Sequence, residues 1–174
     1  MIAIRPARGE DVAAIDTLLR RCFPAPHEAN LVRDLCAEGD MVLVLTAWDE
    51  EEGEVAGMVA FSRMSVSVGG KPVSAVALAP VAVAPAYRRH GVAEALITAG
   101  LERLEMEGVV LCFVLGEPDF YTRFGFQADI ASGFETPYAG AFLLALPLQG
   151  GLIPCGVRGP ATHAPAFTRL GKDA

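Results

Sequence analysis

The chain has no apolar run of the ~20 residues that a helix needs to cross a bilayer. Its first residues, MIAIRPARGED, carry no long apolar stretch of the signal-peptide kind. Membrane insertion and export are thus not expected, and the location read from the sequence is cytoplasmic. Positive charge is also scarce: 14 Lys and Arg against 21 Asp and Glu give a formal charge of -7 and a pI near 4.9. A general nucleic-acid binder needs a basic face to displace phosphate counterions, so no nucleic-acid partner is expected. An acidic surface suits a cationic partner instead, such as an amine. Cysteine is sparse and scattered. Cys22, Cys36, Cys112 and Cys155 form no CxxC pair and have no histidine doublet nearby, which argues against zinc and against a disulfide framework. Four reduced thiols in or near the core and no metal are expected. There is no internal repeat and no low-complexity segment.

What is present is enough for one core, since 174 residues at 52% hydrophobic content fit a single compact domain better than two. IAIRPA alternates like a short strand, and GEDVAAIDTLLRRCF puts Val12, Ile15, Leu18 and Leu19 at helical spacing. PAPHEAN breaks that pattern; Leu31, Val32 and Leu35 then suggest a second helix ending near Gly39. MVLVLTAW and EVAGMVAFSRMSVSV, separated by the acidic turn DEEEG, predict a hairpin. GGKP leads into PVSAVALAPVAVAP, a third antiparallel run. After Pro85 the period changes to 3.6, with Val92, Ala93, Leu96, Ile97, Gly100, Leu101 and Leu104 forming an apolar stripe that closes at EGV. VVLCFVLG reads as a strand buried on both faces, PDFYTRFGF as a helical turn redirected at Gly125, and AFLLALPL as a further strand. The Gly- and Pro-rich remainder, residues 149–174, is expected to be an irregular arm on the same domain with at most one short strand.

The chemistry concentrates in YRRHGVAEALIT, residues 87 to 98. A basic pair, a glycine and small residues ahead of a helix leave backbone N–H groups exposed where the helix dipole is positive, which makes an anion site. The other reading of Arg88 and Arg89 is a solvated basic pair, which the positive helix end disfavours. Pro80 interrupts a run that otherwise looks like a central strand, and a proline there belongs at a bulge or an opening. Such an opening would leave backbone groups of Val81, Ala82 and Val83 for an extended amide-bearing ligand that docks like an extra strand. A diphosphate joined to a pantetheine arm has that form.

The segment PVAVAPAYRRHGVAEALI resembles the acetyl-CoA binding motif of the GNAT N-acetyltransferase superfamily, in which Arg or Gln, two residues, Gly, one residue and Gly or Ala follow one another. Arg88, Gly91 and Ala93 occupy those places, with Arg89, His90 and Val92 between them. VLGEPDFYTRFGF is similar to the family's later segment, where a tyrosine that faces the CoA sulfur in many members precedes a Phe-Gly-Phe turn. The resemblance covers Met1 to about Leu148, and the tail is similar to that of small bacterial acetyltransferases. It implies an α/β fold with a mixed, mostly antiparallel sheet opened between the strands ending near Val83 and Leu115, and an N-acetyltransferase domain over 1–148. It also implies acetyl-CoA as cosubstrate, a primary amine on a small molecule or protein as acceptor, and cofactor contacts from Val81 to Val83, Arg88 to Ala93, Phe120 and Phe124. Tyr121 would be the acid that protonates the departing thiolate. Its alternative is an aromatic packed in the core with its hydroxyl satisfied.

Other polar residues carry two readings each. Glu28, in a region that borders the acceptor cleft in similar proteins, is either a catalytic carboxylate or a helix-start acid that complements the dipole. His27 shares that ambiguity. His90 fits a structural or phosphate-contacting role better than that of a base, and Glu117 and Asp119 are ordinary acids of a first helical turn. His163 and Arg158 either reach the cleft or lie on the surface. A homodimer stays open, as does a CoA-binding regulatory module without chemistry, because an anion site by itself shows only binding.

Overall fold

The computed structural model describes residues 1–170. Its elements are β1 (Ile2–Pro6), α1 (Val12–Cys22), α2 (His27–Ala37), β2 (Met41–Asp49), β3 (Glu54–Val68), β4 (Lys71–Val83), α3 (Val92–Met106), β5 (Leu111–Leu115), α4 (Pro118–Tyr121), α5 (Ala128–Ala131), β6 (Leu143–Pro147) and β7 (Arg158–His163). Seven strands form one sheet in the order β1-β2-β3-β4-β5-β6, with β7 on β3. The pairs β1–β2, β3–β7 and β5–β6 are antiparallel and β4–β5 is parallel, the mixed and mostly antiparallel sheet that the sequence predicts. The parallel register runs from Ala75↔Leu111 to Leu78↔Val114, so the last five residues of β4, from Ala79 to Val83, lie beyond it. Pro80, which has no N–H to give to a ladder, sits in that stretch, and the Ala79–Pro80 peptide is cis.

The described residues divide into two compact units. The first holds Met1–Phe61, Ala79–Gly100 and the residues from Pro165 on. Its core joins Ile15, Leu18 and Leu19 of α1 to Ala29 and Val32 of α2, Met58 and Ala60 of β3, and Ala82 and Ala84. Alternate residues of a strand face opposite ways, and the intervening positions of β3 meet α3. A Cβ on Gly57 would lie 3.1 Å from both Leu96 Cδ1 and Val92 Cγ1, and one on Gly100 only 2.6 Å from Cζ of the fully buried Phe61. Side chains therefore pack directly on glycine backbone where a larger residue would hold α3 away. At the start of α1, the buried Asp11 carboxylate accepts from both Arg5 guanidinium nitrogens, at 2.7 and 3.1 Å, and from the Arg8 N–H at 2.7 Å. The Arg5 bond holds that carboxyl below its ordinary value against the opposing effect of burial.

The second unit, Ser62–Leu78 with Leu101–Ala164, contains the β4–β5–β6 ladder and the β3–β7 pair. The fully buried Phe113 meets Phe134 edge to face at 5.3 Å. The Gln149 amide donates to the Glu105 and Val109 carbonyls, both at 2.9 Å, and so satisfies acceptors at the end of α3.

The tail has the one short strand allowed for it, together with a 3₁₀ turn. It contributes β7 in the second unit, and in the first a 3₁₀ turn at Pro165–Arg169, whose Arg169 pairs with Asp34 and Glu38 of α2. The cysteines differ from expectation. All four are free, but only Cys112 is buried and Cys22 half-buried, whereas Cys36 and Cys155 are exposed. Among the described residues no helix is long and apolar enough to cross a membrane.

Gly57→Ala tests the close approach of α3, because its new Cβ would also lie 2.9 Å from the Ala82 carbonyl oxygen. Overpacking of this kind costs about 1–3 kcal/mol. Calorimetry should show a melting temperature lower by about 2–12 °C for a chain of this size. An unchanged melting temperature would mean that α3 is not held here.

Candidate active site

The anion turn lies wholly within the first unit. Val83 ends β4, Pro85–Tyr87 form a 3₁₀ turn, Arg88 is extended, and Arg89 and Gly91 both take left-handed backbone, at φ 66° and 76°. For Gly91 that conformation is free, while for Arg89 it is uncommon. The Ala95 N–H donates to the Gly91 carbonyl at 3.0 Å, which makes Gly91 the residue that opens α3. The N–H groups of Val92, Ala93 and Glu94 follow it and have no acceptor within the helix. A glycine in the opening position offers them no side-chain oxygen, so the positive end of the dipole there suits an outside anion.

Arg88, Arg89, His90 and Gly91 are all exposed. The Arg88 Nε–H donates to the Val83 carbonyl at 3.0 Å, which turns the guanidinium back across the end of the strand. Among the described residues its two terminal nitrogens have no partner, and neither has the Arg89 side chain. Val83 departs from expectation in one respect: its carbonyl is already taken, by Arg88 and by the Cys22 thiol at 3.4 Å. That carbonyl is therefore not open to a ligand amide. Cys22 carries no sequence signal for this role, since it lies 61 residues away and only folding brings it there.

The aromatic set belongs to the second unit. Tyr121 ends α4 and is 9% exposed; its ring meets Phe120 at 4.9 Å and Phe126 at 5.9 Å, both edge to face. Phe120 also meets Phe124 at 5.5 Å, and both are half-buried. Burial pushes the Tyr121 phenol above its ordinary value, so it is a neutral O–H at physiological pH. Among the described residues that hydroxyl has no hydrogen-bond partner, and the ring is packed as a core aromatic would be. Sequence reasoning overlooks Gly116. A Cβ there would lie 2.5 Å from Cε2 of Tyr121, so the ring keeps its place only because the residue after β5 has no side chain. A glycine directly after an apolar strand was the available signal.

Each remaining candidate has its own surroundings. Glu28 is half-buried in the first turn of α2, and His27 lines a small hollow with Asn30, Asp34 and Arg169. Arg158 donates to the Asp129 and Ser132 carbonyls and lies over the Phe134 ring, which gives it a structural role at the end of α5. His163 is half-buried against the Tyr138 ring at 4.8 Å, and desolvation lowers its pKa to about 4, too low for an effective base at neutral pH.

A family model described as acetyltransferase (GNAT) domain matches residues 3–128. The uncharacterized N-acetyltransferase YhbS of Escherichia coli K12 is 44% identical over 117 residues, which is 67% of this chain and 68% of that protein. The crystal structure of E. coli YhbS in complex with CoA superposes with a TM-score of 0.88 at 35% identity, covering 98% of this chain and 93% of that one. A GNAT family acetyltransferase from Brucella melitensis in complex with acetyl-CoA gives a TM-score of 0.78 at 28% identity, over 96% of this chain and 98% of that one.

Gly91→Glu separates binding from folding. No atom lies within 4 Å of the Cβ it would add, so the protein should fold, with a strain cost of about 1–2 kcal/mol for left-handed backbone. The new carboxylate should abolish the heat of CoA binding in titration calorimetry. Arg88→Ala should weaken CoA by about 1.5–3 kcal/mol, and less at higher salt. Undiminished CoA binding by a folded Gly91→Glu protein would remove the anion turn from consideration.

Proposed function

Because the chain belongs to the GNAT acetyltransferase family, we propose that it transfers acetyl from acetyl-CoA to a primary amine by direct attack in a ternary complex. The observation that carries this reading is the glycine-opened N-terminus of α3, with Arg88 and Arg89 exposed beside it. The first-turn N–H groups, the dipole and two cations suit a pyrophosphate, and relatives of this fold hold CoA or acetyl-CoA. Val81 and Val83 offer backbone groups to the pantetheine amides, and Phe120 and Phe124 offer apolar contact.

In the reaction, the neutral amine nitrogen adds to the thioester carbonyl carbon, the C–S bond breaks, and the thiolate takes a proton from Tyr121. The amine loses its own proton to a base or to water, and Glu28 is the carboxylate we assign to that step; solvent then restores the phenol. Support for Tyr121 comes from the FYTRFGF likeness and from its neutral, unbonded hydroxyl. An ordinary thiol has a pKa near 8.5, below that of a buried phenol, so this proton transfer runs uphill. Its contribution belongs at the lower end of general acid catalysis.

A panel of amines incubated with acetyl-CoA tests the reaction, with release of free thiol as the readout. CoA binding without turnover on any amine would leave only a regulatory binding module. With the best acceptor, Tyr121→Phe should lower turnover about 10²-fold while leaving the melting temperature and acetyl-CoA affinity close to the parent's. Gly116→Ala, which displaces the ring while keeping the hydroxyl, should also lower turnover. Full activity in both variants would reduce Tyr121 to a packing residue.

A further inference from the structure

Tyr87 takes part in none of the roles assigned so far, yet it is the residue directly ahead of Arg88. Its hydroxyl donates to Asp49 Oδ2 at 2.7 Å, with Glu54 Oε2 at 3.4 Å as a second acceptor. The other oxygen of Asp49 accepts from the Glu51 N–H at 3.0 Å and the Glu52 N–H at 3.3 Å. One carboxylate therefore closes the β2–β3 turn and holds the tyrosine at the same time. The bond to Tyr87 keeps the Asp49 carboxyl below its ordinary value, and the phenol is raised, so the donor and acceptor roles are fixed at neutral pH. On its other side the turn is tied by Arg88 to the Val83 carbonyl. Between this double anchorage and α3 lies Arg89 in left-handed backbone, a conformation that persists only where its surroundings impose it.

The charges make this arrangement informative. The hairpin bears Asp49, Glu50, Glu51, Glu52 and Glu54, and on Coulomb grounds alone such a segment should be kept away from a site for a polyanion. We infer that Tyr87 is a positioning residue for CoA binding. Through Asp49, the acidic hairpin holds the anion turn in the conformation that presents its N–H groups to the pyrophosphate. The inference rests on residues 88–93 being the CoA site.

The two effects of Asp49 have opposite signs, and this makes the test decisive. If only charge mattered, Asp49→Ala would tighten CoA, since it removes an anion. If positioning matters, it weakens CoA. Titration calorimetry with CoA on the whole protein compares the parent, Tyr87→Phe, Asp49→Ala and the double variant. Tyr87→Phe keeps the ring and should weaken CoA about 3- to 10-fold, as expected for the loss of a single hydrogen bond. Asp49→Ala should weaken it less, because Glu54 remains as an acceptor. The double variant should lose less than the sum of the two single losses, since the Tyr87–Asp49 bond is an interaction that both remove. With acetyl-CoA and an active amine, the effect should fall on KM, with kcat within about twofold of the parent.

Tighter binding by Asp49→Ala, parent-like binding by Tyr87→Phe, or additive losses would each overturn the inference. So would a lower melting temperature at unchanged CoA affinity, which would assign the bond to stability alone. Gly91→Glu distinguishes the two levels: if it too binds CoA normally, the site itself is misassigned; if it loses CoA while Tyr87→Phe does not, only the role of Tyr87 fails.

Discussion

Helix α3 comes so close to β3 that two positions along the contact have no room for a side chain. Gly57 lies under Val92 and Leu96, and Gly100 lies under Phe61. The rest of the first unit follows from this contact. It fixes where the helix begins, and hence where the N–H groups of its first turn are presented. It also leaves only a short path from the end of β4 to Val92, which is filled by a 3₁₀ turn and a tight run with two left-handed residues. Burial of Val92, Leu96 and Ile97 stabilises the helix, so its opening turn needs no capping side chain and can leave its donors to a ligand.

Electrostatics here is local rather than global. The chain carries a net charge of -7, yet the turn from Arg88 to Gly91 presents two cations and a helix dipole. Long-range repulsion of a polyanion is screened within about 8–10 Å at physiological salt, whereas hydrogen bonds at the turn are not. Acidic residues can therefore crowd the β2–β3 hairpin provided their nearest effect is a bond. Asp49 meets that condition by bonding to Tyr87 and to its own turn.

The second unit supplies a different kind of precision. Tyr121 sits among Phe120, Phe124 and Phe126 on a short helical turn, and its orientation is determined by packing; among the described residues its hydroxyl makes no hydrogen bond. A phenol in such surroundings stays protonated. The missing side chain at Gly116 is as much a part of this arrangement as the aromatic rings, because any Cβ would displace the tyrosine.

The sequence by itself determined the elements and the turn that opens α3. Period 2 marked the long strands of the hairpins, period 3.6 marked α1 and α3, and RRHGVA, the proposed anion turn, lies on contiguous residues. Local chemistry of that kind is legible because nothing distant is needed to produce it. Composition allowed one short strand in the tail but did not show that it pairs with β3, nor that Arg169 reaches Asp34 and Glu38. It misjudged Cys36 and Cys155, because apolar character alone does not decide which face of a helix or loop is covered. Only the tertiary structure showed that the Val83 carbonyl is occupied by Arg88 and Cys22, that Gly116 makes room for Tyr121, and that Tyr87 is held by Asp49. The Cys22–Val83 and Asp49–Tyr87 contacts join residues 61 and 38 positions apart, and all of these contacts are fixed by close packing and hydrogen-bond geometry, which no periodicity along the chain records.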